Sequence, residues 1–224
     1  MGNVATGTPG AQHHHAHHFK SADHEFETCK QGMWLFLLQE ILFFSPFFVG
    51  YLIFHFLHPA AFHEASHHLD WKLGAVNTLI LLFSSFTMAR AVSATQKGEQ
   101  SRALANLILT FLCACGFLVV KYFEYSHKIH VGTLPGSMFN PELFTSGEFK
   151  NKEVPLFFSF YFGMTGLHAA HVIGGMVYLF FVIKWTAQRR FGPSYYTPVE
   201  MFGLYWHFVD LVWIYLFPLL YLVG

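Results

Sequence analysis

Ionisable side chains recur at regular spacing inside apolar stretches of this sequence. The segment GLHAAHVIGG carries His168 and His171 three positions apart, and the segment YWHFVD carries His207 and Asp210, also three apart. Imidazole and carboxylate groups in such surroundings can ligate a metal ion or bind and release protons. The pattern therefore raises two chemical possibilities, a redox centre and a set of proton-binding groups.

The spacing argues against a haem or a metal cluster. Residues three apart on a helix share one face, so His168 and His171 cannot hold one haem iron from opposite sides. A bis-histidine haem between helices needs a facing histidine, and only His207 lies deep in another apolar segment. A di-iron bundle needs two Glu-x-x-His motifs and two further carboxylates, whereas Glu40 and Asp210 are the only deep acids. We therefore predict that this chain has no catalytic residue, no metal and no redox cofactor of its own.

The same residues have a structural interpretation, because imidazoles in a membrane bundle can hydrogen-bond neighbouring helices. Small residues near His171 predict close helix approach: Gly166, Ala170, Gly174 and Gly175. Glu40, in WLFLLQEILFF, could pair with His168 or His171 and hold or relay a proton. Likewise, His207 and Asp210 could form a relay or only a satisfied pair, and we favour the structural interpretation.

The composition identifies the medium that surrounds these residues. Of 224 residues, 54% are hydrophobic and 12% charged, against about a quarter charged in soluble domains. Lys and Arg number 13, as do Asp and Glu, so no net charge indicates nucleic acid as a partner. Five apolar segments reach the length of about 20 residues that crosses a bilayer: 32–57, 73–94, 102–125, 155–183 and 197–223. We predict an all-α polytopic membrane bundle of five transmembrane helices.

The flanking segments complete the predicted organisation. Residues 1–31 form a polar, His-rich tail that we predict to be disordered. Residues 32–224 form one transmembrane domain with an outer loop at about 126–154. The tail histidines could bind a metal ion weakly, although a plain solvated tail is the favoured interpretation.

Basic residues in the loops and at the ends of the apolar segments predict the orientation. One side carries eight, Lys20, Lys30, Arg90, Lys97, Arg102, Lys184, Arg189 and Arg190. The other side carries five, Lys72, Lys121, Lys128, Lys150 and Lys152. The excess predicts an N-terminus inside and a C-terminus outside.

Four segments together resemble subunit III of the haem–copper oxidases. They are WLFLLQEILFFSPFFVGYLIF, KYFEY, TGLHAAHVIGG and VEMFGLYWHFVDLVWIYLFPLLYL, in that order. In that family an acid lies in the first of these helices, a Thr-Gly-x-His-x-x-His-Val segment follows, and a Tyr-Trp-His-Phe-Val-Asp segment closes the chain. The resemblance covers Met33 to the C-terminus, and the five spans resemble the short bacterial form of the subunit.

The resemblance implies a non-catalytic subunit of a proton-pumping terminal oxidase in the bacterial cytoplasmic membrane. Such a subunit packs against subunit I, holds phospholipids between its helices and supports proton uptake, while haem and copper belong to subunits I and II. Carried over by motif, the polar interior comprises Glu40, His168, His171, Glu200, His207 and Asp210. The N-terminal tail and the segment HFLHPAAFHEASHHLDW have no counterpart in the resemblance.

Other functions stay open at the level of sequence. Within the superfamily, the chain could be subunit III of a quinol oxidase or the subunit III-like protein associated with nitric oxide reductase. Outside it, the chain could be a small transporter or a membrane cytochrome. A transporter should have internal repeats and broken helices around a site at the membrane midplane, and this sequence shows neither. A membrane cytochrome should give a haem absorption band when the chain is expressed alone.

Overall fold

The computed structural model describes residues 22–67, 69–135 and 153–223. Its helices are α1 (Ala22–Leu57), α2 (Pro59–Ser66), α3 (Trp71–Gln96), α4 (Gln100–Val131), α5 (Val154–Ala187) and α6 (Thr197–Tyr221). All except α2 are long and apolar enough to cross a membrane. The prediction of an all-helical bundle with five membrane spans is confirmed.

Helix α1 begins earlier than predicted, at Ala22 rather than at residue 32. Residues 22–31, which we predicted to belong to a disordered tail, are therefore helical. Hydropathy detects only the part of a helix that fits hydrocarbon, whereas Glu, Lys and Gln favour helix wherever they lie. The rest of the tail, residues 1–21, lies outside the described residues.

Helix α4 also runs past its predicted end and stops at Gly132, which has the left-handed φ of 84° that ends many helices. The connection to α5 thus begins at residue 132 rather than at 126, and residues 136–152 of it lie outside the described ranges. Two lysines that we counted as loop charges, Lys121 and Lys128, are on α4 and only 5% exposed. Removing them leaves three basic residues on the predicted outer side, and the orientation stays a prediction.

Helices α3 to α6 form the core. Each packs against two of the others in a closed ring in the order α3, α4, α5, α6 and back to α3. The largest buried side chains between them include Trp206, Trp213, Tyr161 and Phe117. Helix α1 lies outside this ring against α5 and α6, and much of its apolar surface is exposed. The ring therefore encloses a protein interior, while α1 presents an apolar surface to its surroundings.

The short helix α2 occupies part of the His-rich segment between the first two predicted spans. Pro59 is at its first position, where a missing N–H costs nothing. The Phe62 side chain is fully buried, with its ring 5.2 Å from that of Tyr51 and 5.4 Å from that of Phe157. An eight-residue helix is marginal alone in water. Packing of its buried face therefore holds α2 in place.

Candidate functional site

Glu40 and His171 form a contact between α1 and α5. The Oε2 atom of Glu40 lies 3.0 Å from Nε2 of His171, and both side chains are largely buried. On the other side of the ring, Nδ1 of His171 lies 2.8 Å from the carbonyl oxygen of Leu167. The pairing that the sequence left open between His168 and His171 is thus made by His171.

The Leu167 carbonyl determines how many protons the pair holds. A carbonyl oxygen only accepts, so Nδ1 of His171 carries a proton and donates it. The contact between Nε2 and Glu40 then holds one further proton, located on the imidazolium or on the carboxylic acid. Both forms have zero net charge, so the proton can move between the two atoms without leaving an uncompensated charge in the membrane.

Aromatic residues and α6 complete the surroundings of the pair. The His171 ring lies 5.1 Å from the ring of Phe44. The Tyr205 hydroxyl of α6 donates to the His171 carbonyl at 2.9 Å. Three helices therefore meet at His171, and the pair attaches the outlying α1 to the core.

His168 faces a different interior from His171. Its side chain is fully buried, 5.6 Å from the ring of Phe117 and 5.2 Å from that of Trp213, measured between centroids. Neither ring nitrogen has a hydrogen-bond partner among the described residues. The two histidines therefore line different interfaces of α5, His168 beside α4 and α6 and His171 beside α1.

His207 and Asp210 are not paired with each other either. Nδ1 of His207 lies 2.6 Å from the Ser85 hydroxyl of α3. Asp210 is 2% exposed, and neither carboxylate oxygen meets the geometry of a hydrogen bond in the described part of the chain, but the same Ser85 hydroxyl is close enough to interact with its carboxyl group. The two residues do not contact each other directly, but both lie beside the Ser85 hydroxyl of α3, and a relay through them stays a prediction.

Glu200 lies outside this interior. It is in the first turn of α6, where the helix dipole favours an acid. Its partner is Gln96 at the end of α3, whose amide donates to the carboxylate at 3.3 Å near the protein surface.

A buried charged cluster, which sequence reasoning missed, joins α4, α5 and α6. It comprises Lys121, Glu124, Tyr161 and Tyr221. The Lys121 ammonium donates to Glu124 at 3.0 Å, to the Tyr221 oxygen at 2.9 Å and to the Tyr161 oxygen at 3.4 Å. Both phenols donate in turn to the second Glu124 oxygen, at 2.7 Å from Tyr161 and 2.6 Å from Tyr221. All three ammonium protons thus have acceptors, and the cluster is a satisfied structural centre.

The KYFEY segment contained a signal for this cluster. Lys121 and Glu124 are three positions apart, which places them on one helix face. The sequence did not indicate the partners, because Tyr161 and Tyr221 lie 40 and 100 positions from Lys121.

The four small residues of α5 differ in what surrounds them. A Cβ atom added to Gly175 would lie 2.8 Å from the Trp206 ring and 3.0 Å from that of Tyr205. A Cβ atom added to Gly166 would have only the Tyr125 hydroxyl nearby, at 3.9 Å, and one added to Gly174 would have no atom within 4 Å. Ala170 is also exposed. Of these four residues, only Gly175 is closely packed against another helix of the described chain, and close helix approach at the other three stays a prediction.

We expect Gly175→Ala to lower the free energy of unfolding by about 1–3 kcal/mol, because the Trp206 indole must shift to admit the methyl group. Gly174→Ala, one residue earlier on the exposed face, is the matched control and should not destabilise the chain. The measurement is unfolding by sodium dodecyl sulfate in mixed micelles. Equal midpoints for the two variants would contradict the packing assigned to Gly175.

His168 and His171 are both enclosed by the protein. Both ring nitrogens of His171 have hydrogen-bond contacts, and the His168 side chain is fully buried against the rings of Phe117 and Trp213. Nowhere in residues 22–67, 69–135 and 153–223 do three or more His, Cys, Asp or Glu side chains converge.

Comparison with known proteins identifies the family. The family model for cytochrome c oxidase subunit III matches residues 11–224. The chain belongs to the cytochrome c oxidase subunit III family. Subunit 3 of the cytochrome bo(3) ubiquinol oxidase of Pseudomonas putida is 30% identical over 195 residues, covering 86% of this chain and 84% of that protein. Cytochrome c oxidase subunit 3 of Corynebacterium diphtheriae is 31% identical to this chain, and the match covers 86% of each protein. Cytochrome c oxidase subunit 3 of Synechocystis is 32% identical, and the match covers 98% of this chain and 83% of that relative.

The chain is thus subunit III of a terminal oxidase and part of an oxidase complex of the respiratory chain. It is a multi-pass membrane protein. Relatives of both the cytochrome c and the ubiquinol type are similar to it to the same degree. The family assignment makes the transporter and membrane-cytochrome alternatives unnecessary.

This subunit III also has an apolar groove between α1 and α6, with a volume of about 490 Å³. Side chains from both helices line it, including Phe44, Phe48, Leu52, Phe208, Tyr215 and Leu219. The groove begins beside Glu40, since Ile41 and Phe44 belong to its wall.

Proposed function

We propose that this subunit III is non-catalytic and supports proton uptake and sustained turnover of its oxidase through the Glu40–His171 pair. The observation that carries the proposal is the 3.0 Å contact between the two side chains, with the opposite ring nitrogen occupied by Leu167. That arrangement holds one transferable proton at zero net charge. An intramembrane ionisable pair of this kind is by default a candidate for function.

The environment of the pair supports exchange of that proton. The exposed fractions are 18% for the His171 side chain and 12% for Glu40, so neither group is sealed inside the bundle. By contrast, the Lys121 and Glu124 side chains are 6% and 4% exposed, and their hydrogen bonds are complete. Of these two ionic pairs, Glu40–His171 is therefore the one suited to proton exchange, whereas Lys121–Glu124 stabilises the fold.

The redox chemistry is assigned to partner subunits. In the proposed complex, subunit I packs directly against this chain, and haem and copper are held by subunits I and II. Electrons come from cytochrome c or from a quinol, as the names of the two groups of relatives indicate for those proteins. The membrane is the bacterial cytoplasmic membrane, with the N-terminus inside.

The groove between α1 and α6 supports the proposed binding of phospholipid. Its wall is almost entirely apolar, and a groove of about 490 Å³ accommodates part of an acyl chain. A lipid there would pack beside Glu40 and limit the access of water to the pair.

The test compares Glu40→Gln and Glu40→Ala in the assembled oxidase. Glutamine keeps the size of the side chain and a hydrogen bond to His171, but it cannot exchange a proton. Alanine loses both. We expect both variants to assemble with the other subunits, to take up protons more slowly and to inactivate after fewer turnovers than the wild type.

The two variants separate proton exchange from packing. If the pair matters only because it attaches α1, Glu40→Gln will behave as wild type and Glu40→Ala alone will be defective. That result, or unchanged proton uptake and lifetime in both variants, would overturn the proposal. Subunit content measured by gel and mass spectrometry serves as the control for assembly.

A further inference from the structure

The helix α2 and the residue that caps its C-terminus carry two histidines whose side chains converge. His63 and His67 are four residues apart, so they lie one helical turn apart on the same face. Their Nε2 atoms are 3.2 Å apart, with ring centroids 4.6 Å apart and planes at 77°. Both side chains are exposed, whereas Phe62 between the pair and the core is buried.

This separation suits two ligands of one metal ion. Zinc binds histidine nitrogen at 2.0–2.1 Å with tetrahedral geometry, which places two nitrogen ligands about 3.3 Å apart. The observed 3.2 Å between the Nε2 atoms is close to that value. His67, the C-cap residue of α2, has a helical backbone, with φ of −61° and ψ of −21°. The helical backbone therefore already holds the two rings at this distance.

The packing of α2 makes the pair preorganised. Ala61, Phe62 and Ala65 are buried, and they fix the helix against α1 and α5. The Ser66 hydroxyl donates to the His63 carbonyl at 2.7 Å and secures the last turn. A ligand that joins His63 to His67 therefore has little backbone entropy to remove.

We propose that His63 and His67 form a surface site for a divalent transition metal ion that favours imidazole, with Zn²⁺ as the type ion. Imidazole suits zinc, copper and nickel, whereas magnesium and calcium prefer oxygen ligands. The segment HEASH has the H-E-x-x-H spacing of zinc-binding helices. No third His, Cys, Asp or Glu joins the pair within the described ranges, so water completes the coordination. The site binds metal and is not a peptidase centre.

The experiment measures Zn²⁺ binding to the full-length chain in mild detergent by isothermal titration calorimetry. The tail histidines are first replaced by glutamine, because they would compete: His13, His14, His15, His17 and His18. In that background we expect one Zn²⁺ per chain. His63→Gln and His67→Gln should each weaken binding by more than the roughly 10- to 100-fold that loss of an outer-shell partner causes.

His127→Gln is the matched control, since His127 is an exposed histidine near the end of α4 and not in the pair. It should leave the affinity unchanged. A second readout is amide hydrogen exchange of residues 58–67, which Zn²⁺ should slow because it joins successive turns of α2.

Two outcomes would overturn the proposal. One is zinc affinity that neither His63→Gln nor His67→Gln reduces. The other is binding without slower exchange in α2. Either result would leave the 3.2 Å contact as an ordinary hydrogen bond between two imidazoles.

Discussion

Lys121→Met is expected to lower the free energy of unfolding of the bundle by about 3–5 kcal/mol, because it leaves the Glu124 carboxylate buried without its cation. Both side chains of the pair are at most 6% exposed. The ammonium also lies over aromatic rings, 4.7 Å from that of Trp213 and 5.3 Å from that of Tyr161. Denaturation of the purified chain by sodium dodecyl sulfate in mixed micelles measures the change.

Two controls identify the cause of this loss. The double variant Lys121→Met/Glu124→Gln removes both charges and keeps an oxygen that accepts from Tyr161 and Tyr221, so it should be more stable than Lys121→Met alone. Arg102→Met breaks an exposed pair of the same spacing, Arg102–Glu99 at 2.8 Å, and should cost no more than about 1 kcal/mol. A double variant as unstable as the single one would contradict the assignment of the effect to an uncompensated charge.

Trp213→Ala is expected to have an effect of similar size, about 3–5 kcal/mol, because it opens a cavity at the centre of the ring of helices. Trp213 is fully buried, and its ring lies 5.0 Å from that of Phe117 and 5.2 Å from that of His168. Its indole N–H donates to the Thr78 hydroxyl at 3.1 Å. The same denaturation experiment measures the loss.

Trp213→Phe separates the hydrogen bond from the packing. It keeps an aromatic ring in the interior and removes the N–H donor. The free energy of unfolding should therefore fall by about 1 kcal/mol for the lost hydrogen bond to Thr78, and the packing defect should be smaller than that of Trp213→Ala. Trp34→Ala, at a tryptophan that is 59% exposed, should be close to neutral. If Trp213→Ala lowered the free energy of unfolding no more than Trp213→Phe does, the indole would not be the packing centre that the geometry indicates.

Hydropathy predicted the helical class and the number of spans because the bilayer imposes one length on every crossing segment. It did not predict the first turns of α1 or the last turns of α4, since polar helix formers such as Glu25 and Lys128 continue a helix beyond hydrocarbon. Helix α2 was missed for a related reason. Its stability comes from burial of Phe62 against residues that are distant in sequence.

The candidate site was predictable in part. The sequence raised the possibility that Glu40 pairs with a histidine of the fourth span, and the packed helices show a contact with His171. Residues three apart differ by about 60° around a helix axis, and this angle is enough to place His168 between α4 and α6 and His171 against α1. Counting basic residues treated Lys121 as a loop charge, because the count carries no information about the phenols that surround it.

The Lys121 cluster also constrains the order of biogenesis. Tyr221 follows Lys121 by 100 positions, so the ribosome makes α4 long before the phenol that completes its ionic centre. During that interval the lysine and Glu124 have each other but lack the hydroxyl of α6. Docking of α6 is therefore the step that completes the hydrogen bonds of this ionic centre.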